Sequence, residues 1–81
     1  MSKPSVLIVE DHPNMREMLV TVVEMKGMIA LEAEDGLQAI RVLRELMPDA
    51  VILDVELPGG INGMDILHAM RKKKRFQDTP V

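Results

Sequence analysis

Val6-Leu7-Ile8-Val9, closed at once by Glu10-Asp11, is the stretch from which the fold can be read. The run is too short for a helix of ordinary length, and three of its four residues are β-branched. An unbroken apolar run of this kind predicts a strand covered on both faces, as in a parallel sheet. Working outward, Asn14 to Lys26 places Met15, Met18, Leu19, Val22, Val23 and Met25 at helical spacing. Pro13 suits the first turn of that helix and Gly27 its C-terminal cap, and the Met-rich stripe reads as core. Met28 to Ala33 alternates weakly and reads as a second strand. Asp35 is placed to cap a second helix, with Gln38 three residues on in capping-box fashion. Leu37, Ala39, Ile40, Leu43, Leu46 and Met47 give that helix an apolar stripe, which Pro48-Asp49 ends.

Ala50 to Val55 is the third strand, again expected to be buried on both faces. A Pro/Gly loop over Leu57 to Asn62 follows, in which Gly59-Gly60 reads as turn chemistry. Asn62 is placed to cap a third helix with Met64, Leu67 and Met70 on its inner side, ending in the basic run Arg71 to Arg75. The order βαβαβα implies right-handed crossovers and a parallel sheet. Ligands of open parallel sheets bind beyond the C-terminal ends of the strands, so the chemistry is sought there.

Composition narrows the classes. The 81 residues allow one small domain. There is no cysteine, so disulfides, thiolate zinc sites and cysteine nucleophiles are excluded, and two histidines make no zinc site alone. Phe76 is the single aromatic residue, which excludes a stacking platform for single-stranded nucleic acid. A net charge of −3 argues against direct nucleic-acid binding. No apolar run approaches a membrane span of ~20 residues. A cytoplasmic, single-domain chain is expected.

Two strands finish in acid, the first at Glu10-Asp11 and the third at Asp54. As isolated features these are solvated loop residues. Brought together on neighbouring strands, three carboxylates repel one another unless a cation lies among them. Mg²⁺, with its preference for oxygen ligands, suits Glu10, Asp11 and Asp54, and the backbone carbonyl of Glu56 could complete the set. One use of such a group is phosphoryl transfer onto a carboxylate, with Asp54 as nucleophile. The basic run reads as a solvated helix end suited to the macrodipole. His12 reads as a loop residue, its alternative being to modulate metal binding, and His68 as an exposed helix residue.

Three blocks resemble the receiver domain of two-component response regulators: Val6 to Pro13, Glu32 to Ala39, and Leu53 to Gly60. They stand in the family's order and spacing over essentially the whole chain. The resemblance implies a flavodoxin-like (CheY-like) doubly wound α/β fold. It implies Mg²⁺-dependent phosphorylation of an aspartate by a sensor histidine kinase or phosphotransfer protein. That is a self-phosphorylation of receiver type rather than classical enzyme turnover. By resemblance Asp54 is the phosphoacceptor, while Glu10, Asp11, Asp54 and the Glu56 carbonyl hold the metal. The loop Pro58 to Gly63 is one residue longer than the family's commonest form.

A complete receiver resembles five βα units over roughly 110–130 residues. Residues 1–81 are thus expected to be its N-terminal two-thirds, with strand order 2-1-3 and strands 4 and 5 missing. The family's switch Ser/Thr and its Lys belong to those strands. The rival expectation is therefore a phosphorylation-independent interaction module or an inactive fragment. The apolar edge at Ala50 to Leu53 is expected to pair with another chain, giving a dimer or strand-exchanged assembly.

Overall fold

A computed structural model describes residues 3–54 and 57–81 of the chain. Three parallel strands, β1 (Ser5–Val9), β2 (Ile29–Ala33) and β3 (Ala50–Leu53), form a sheet in the order β2-β1-β3. Leu7 pairs with Leu31 on one side and with Val51 on the other. Three helices, α1 (Pro13–Met25), α2 (Gly36–Leu46) and α3 (Gly63–Lys72), complete the layers, followed by a 3-10 turn over Lys74–Phe76. The fold expected from the sequence is therefore present.

The central strand explains the layering. Side chains alternate across a strand, so β1 buries residues in both directions. Leu7 and Val9 point into a cluster with Ala39 and Leu43 of α2 and Ile66 and Met70 of α3. Val6 and Ile8 point the other way, against Val23 of α1. Leu7 and Ile8 are both fully buried. Placing successive residues in two cores requires an unbroken apolar run, which is why Val6–Val9 reads so clearly.

Helix ends follow local chemistry. The Asp35 carboxylate accepts from the Gln38 backbone N–H at 2.8 Å, while the Gln38 side chain reaches back to the Glu34 N–H at 3.1 Å. Asn62 and Asp65 close a full reciprocal capping box on α3. Met47 leaves the helical region, at φ 44°, before Pro48. A proline crowds the backbone of the residue before it and discourages continuation of the helix there. Gly36 is buried at a close approach: a Cβ there would lie 2.5 Å from Ile61 Cγ2. That contact seats the loop preceding α3 on the start of α2.

Several expectations about burial require correction. The Met-rich stripe of α1 is largely not core: Met15, Met18, Val22 and Met25 are exposed, Met25 by 81%. With Val23 as its one buried residue, α1 turns only a narrow strip toward the sheet. β3 is not covered on both faces: Ile52 is exposed on the α1 side, where α1 packs over β1 and β2. Met64 faces outward, and the inner face of α3 is carried by Ile66 and Met70. Leu37, Leu46 and Met47 at the ends of the α2 stripe are likewise exposed. The expected continuation of β3 to Val55 lies outside the described residues.

The basic run is not merely a solvated helix end. Arg71 donates from one guanidinium nitrogen to the carbonyls of Phe76, Gln77 and Thr79, at 2.7, 3.0 and 2.9 Å. Arg75 lies over the Phe76 ring, 5.1 Å from its centre. These contacts fold the chain after α3 back toward the sheet. There the Val51 N–H donates to the Pro80 carbonyl at 2.9 Å. The outer edge of β3 is therefore engaged by the chain itself at Val51.

Candidate acidic phosphoacceptor site

The ends of β1 and β3 build the site. The Glu10 N–H donates to the Ala33 carbonyl at 3.0 Å, and the Asp54 N–H donates to the Val9 carbonyl at 3.1 Å. The sheet ladder thus continues past both strands and delivers three acids to one end of the sheet. The carboxylates of Glu10, Asp11 and Asp54 and the ring of His12 all offer ligand atoms within 4.8 Å of one another. Three of the sequence-predicted site residues are therefore together. The fourth, Glu56, lies outside the described residues.

The surroundings hold Glu10 firmly. It is largely buried, and its Oε1 accepts from the His12 backbone N–H at 3.3 Å and lies 2.9 Å from His12 Nδ1. Arg16, one turn into α1, donates to the Glu10 carbonyl at 3.0 Å and to Glu32 Oε1 at 3.2 Å. Asp11 differs: its Oδ1 is buried and accepts no hydrogen bond among the described residues. His12 Nδ1 lies 3.2 Å from that oxygen. A buried carboxylate oxygen lacking a donor costs stability unless a cation reaches it. The residues present therefore fit a small divalent cation: oxygen donors converge, and one of them lacks a hydrogen-bond partner.

Sequence reasoning underrated His12. Its ring joins the acids although its backbone is the expected loop, at the N-cap of α1. The hydrogen bond to Glu10 raises its pKa above the usual 6.5, and the charges of Asp11 and, more weakly, Asp54 add to this. The neighbouring acids thus favour the protonated ring over the neutral one. The available signal was its position, adjacent to Asp11 and two residues from Glu10. Arg16 was also missed, because its helical spacing marks only an outward-facing polar residue. An open depression between Glu10, His12, Asn14, Met15, Ile52 and Asp54 leads to the cluster.

Comparison with known proteins agrees with this arrangement. Residues 6–81 match the family model of the response regulator receiver domain. The chain belongs to that family. It is 42% identical over 66 residues to the DNA-binding response regulator MtrA of Mycolicibacterium smegmatis, a match covering 82% of this chain and 28% of the relative. A putative response regulator from Chloroflexus aurantiacus superposes with a TM-score of 0.91 at 32% identity, over 98% of this chain and 64% of that one. The response regulator TrrA of Thermotoga maritima, solved in complex with Mg²⁺-BeF, gives a TM-score of 0.83 at 38% identity, over 89% and 62% of the two chains. The chain thus spans under a third of MtrA and under two-thirds of each of those structures. Receivers of two-component systems generally hold Mg²⁺ in an acidic pocket and partner with histidine kinases or phosphotransfer proteins. Among the described residues no helix is long and apolar enough to cross a membrane.

Proposed function

We propose that this receiver accepts a phosphoryl group on Asp54 from a sensor histidine kinase or phosphotransfer protein in the cytoplasm, and that residues 1–81 form the N-terminal two-thirds of the receiver. The observation that carries the reading is the convergence of the Glu10, Asp11 and Asp54 carboxylates within 4.8 Å at the strand ends. Glu10, Asp11, Asp54 and the Glu56 carbonyl would hold Mg²⁺, the last by resemblance to the family. When bound, Mg²⁺ offsets the negative charge of both the carboxylates and an incoming phosphoryl group. An Asp54 carboxylate oxygen forms the new bond to phosphorus as the phosphohistidine N–P bond breaks, and the released imidazole nitrogen takes up a proton. Glu10, fixed by backbone and by His12, keeps the acidic wall in place during this exchange. The depression lined by Met15 and Ile52 admits the donor's ring beside Asp54. The Mg²⁺-BeF complex of TrrA supports the reading, since beryllofluoride occupies the place of a phosphoryl group.

The test is adduct formation. Wild-type protein with Mg²⁺ and beryllium fluoride should give a bound fluoride NMR signal that is lost in Asp54→Asn and without Mg²⁺. A small phosphodonor should add one phosphoryl mass under the same conditions. No adduct, together with no Mg²⁺-induced shifts at Glu10, Asp11 and Asp54, would sink the reading.

A second reading rests on the exposed side of α1. Met15, Met18, Val22 and Met25 offer an apolar surface suited to contact with another protein, independent of phosphorylation. The outer edge of β3 beyond Val51 is a further proposed contact, through which a dimer would form. Sedimentation as a strict monomer at high concentration counts against that dimer.

A further inference from the structure

The phosphoacceptor reading gives His12 no more than the holding of Glu10, although its ring lies inside the acidic cluster. Nδ1 is 2.9 Å from Glu10 Oε1 and 3.2 Å from Asp11 Oδ1. Two donors bound at right angles to one ion, each at about 2.1 Å, lie about 3 Å apart. Both are lengths of hydrogen-bonded or ion-paired contacts, and the same spacing is that of a coordination-octahedron edge, so an ion could replace the Nδ1 proton without the donors moving apart. His12 stands at the N-cap of α1, but its side chain does not cap the helix; among the described residues the ring contacts Glu10 and Asp11. The side chain is 75% exposed, so it can adjust toward an ion without repacking the core.

We propose that His12 is an additional ligand of the cation site through Nδ1, which gives up its proton to solvent as the ion binds, and that the pocket therefore prefers a first-row transition ion such as Mn²⁺ to Mg²⁺. The proposal rests on the reading that Glu10, Asp11 and Asp54 form a cation site. Mg²⁺ is served by oxygen donors and retained water. An imidazole nitrogen adds affinity for softer divalent ions and adds little for Mg²⁺. Asp11 Oδ1, buried and without a hydrogen bond among the described residues, is the oxygen such an ion would reach beside the ring. Pro13 restricts the His12 backbone, which keeps the ring near the pocket rather than free in the loop.

The experiment uses the full chain and Mn²⁺ alone, with no phosphodonor. Electron spin-echo modulation of bound Mn²⁺ reads directly coordinated nitrogen. Wild type should show that modulation, and His12→Gln should lose it. The Mn²⁺ dissociation constant should rise about tenfold in His12→Gln, the lower end of losses seen when a metal site's supporting groups are removed. The preference for Mn²⁺ over Mg²⁺ should fall with it. Tight Mn²⁺ binding without nitrogen modulation overturns the role of His12 and leaves the acidic site standing. An unchanged Mn²⁺ affinity in His12→Gln does the same. Mn²⁺ binding untouched by both Asp11→Asn and Asp54→Asn overturns the acidic site itself, and the role of His12 with it.

Discussion

The two faces of the sheet are built to different standards. On one, α2 and α3 close over Leu7, Val9 and Val51 with Ala39, Leu43, Ile66, Met70 and Phe76 all buried. On the other, α1 covers Val6 and Ile8 with buried Val23 and half-buried Leu19 and Val20, and its Met15, Met18, Val22 and Met25 remain in solvent. The helix ends differ in the same sense. α2 and α3 carry side-chain caps at Asp35 and Asn62, whereas α1 begins at His12, whose ring turns to Glu10. The lesson is a division of labour. One face is sealed for stability. The helix bordering the acidic site lacks a side-chain cap and leaves much of its apolar surface in solvent.

The comparison can be broken most decisively at Ile66, which is fully buried on the sealed face. Ile66→Ala should cost about 2–5 kcal/mol in urea unfolding, the range for large-to-small core substitutions. A cost near zero would show that the face is not sealed. Gly36→Ala forces a Cβ against Ile61 and should cost about 1–3 kcal/mol by the same measurement, as overpacking does. Asn62→Ala removes the reciprocal cap of α3 and should lower stability by about 1 kcal/mol, with hydrogen-exchange protection falling first at Asp65 and Ile66. Met18→Gln on the open face should change stability by less than about 0.5 kcal/mol. A larger loss there would mean that the exposed stripe of α1 is covered in solution, which a shift in sedimentation between Met18→Gln and wild type would confirm.

Much of this was legible in the residues. Val6–Val9 announces a strand between two cores because such a strand has no solvent face to mark with polar residues. Asp35-Gly36 and Asn62 announce helix starts because capping is local, settled within four residues of chain. The acids of the site were legible for a related reason: a parallel sheet of known strand order delivers Glu10, Asp11 and Asp54 to the same end. The exposure of α1 was legible only in part: some of its Met/Val stripe was expected to be uncovered for want of a neighbouring helix, but most of it was read as core. A helical period reveals which residues share a face, and says nothing of whether a neighbour covers it. Arg71 was opaque for the converse reason. In sequence it belongs to a charge run, while its three carbonyl partners lie five to eight residues further along.

By itself the sequence determined the order of elements, the parallel sheet and the identity of its acidic end, because each follows from periodicity, capping and chirality within short stretches of chain. Only the tertiary structure decided which apolar stripes are core. It alone brought the ring of His12 against Glu10 and Asp11 and left Asp11 Oδ1 buried without a hydrogen bond among the described residues. Burial and proximity depend on what the rest of the chain places opposite a residue, and that information is not carried by the residue's own neighbours.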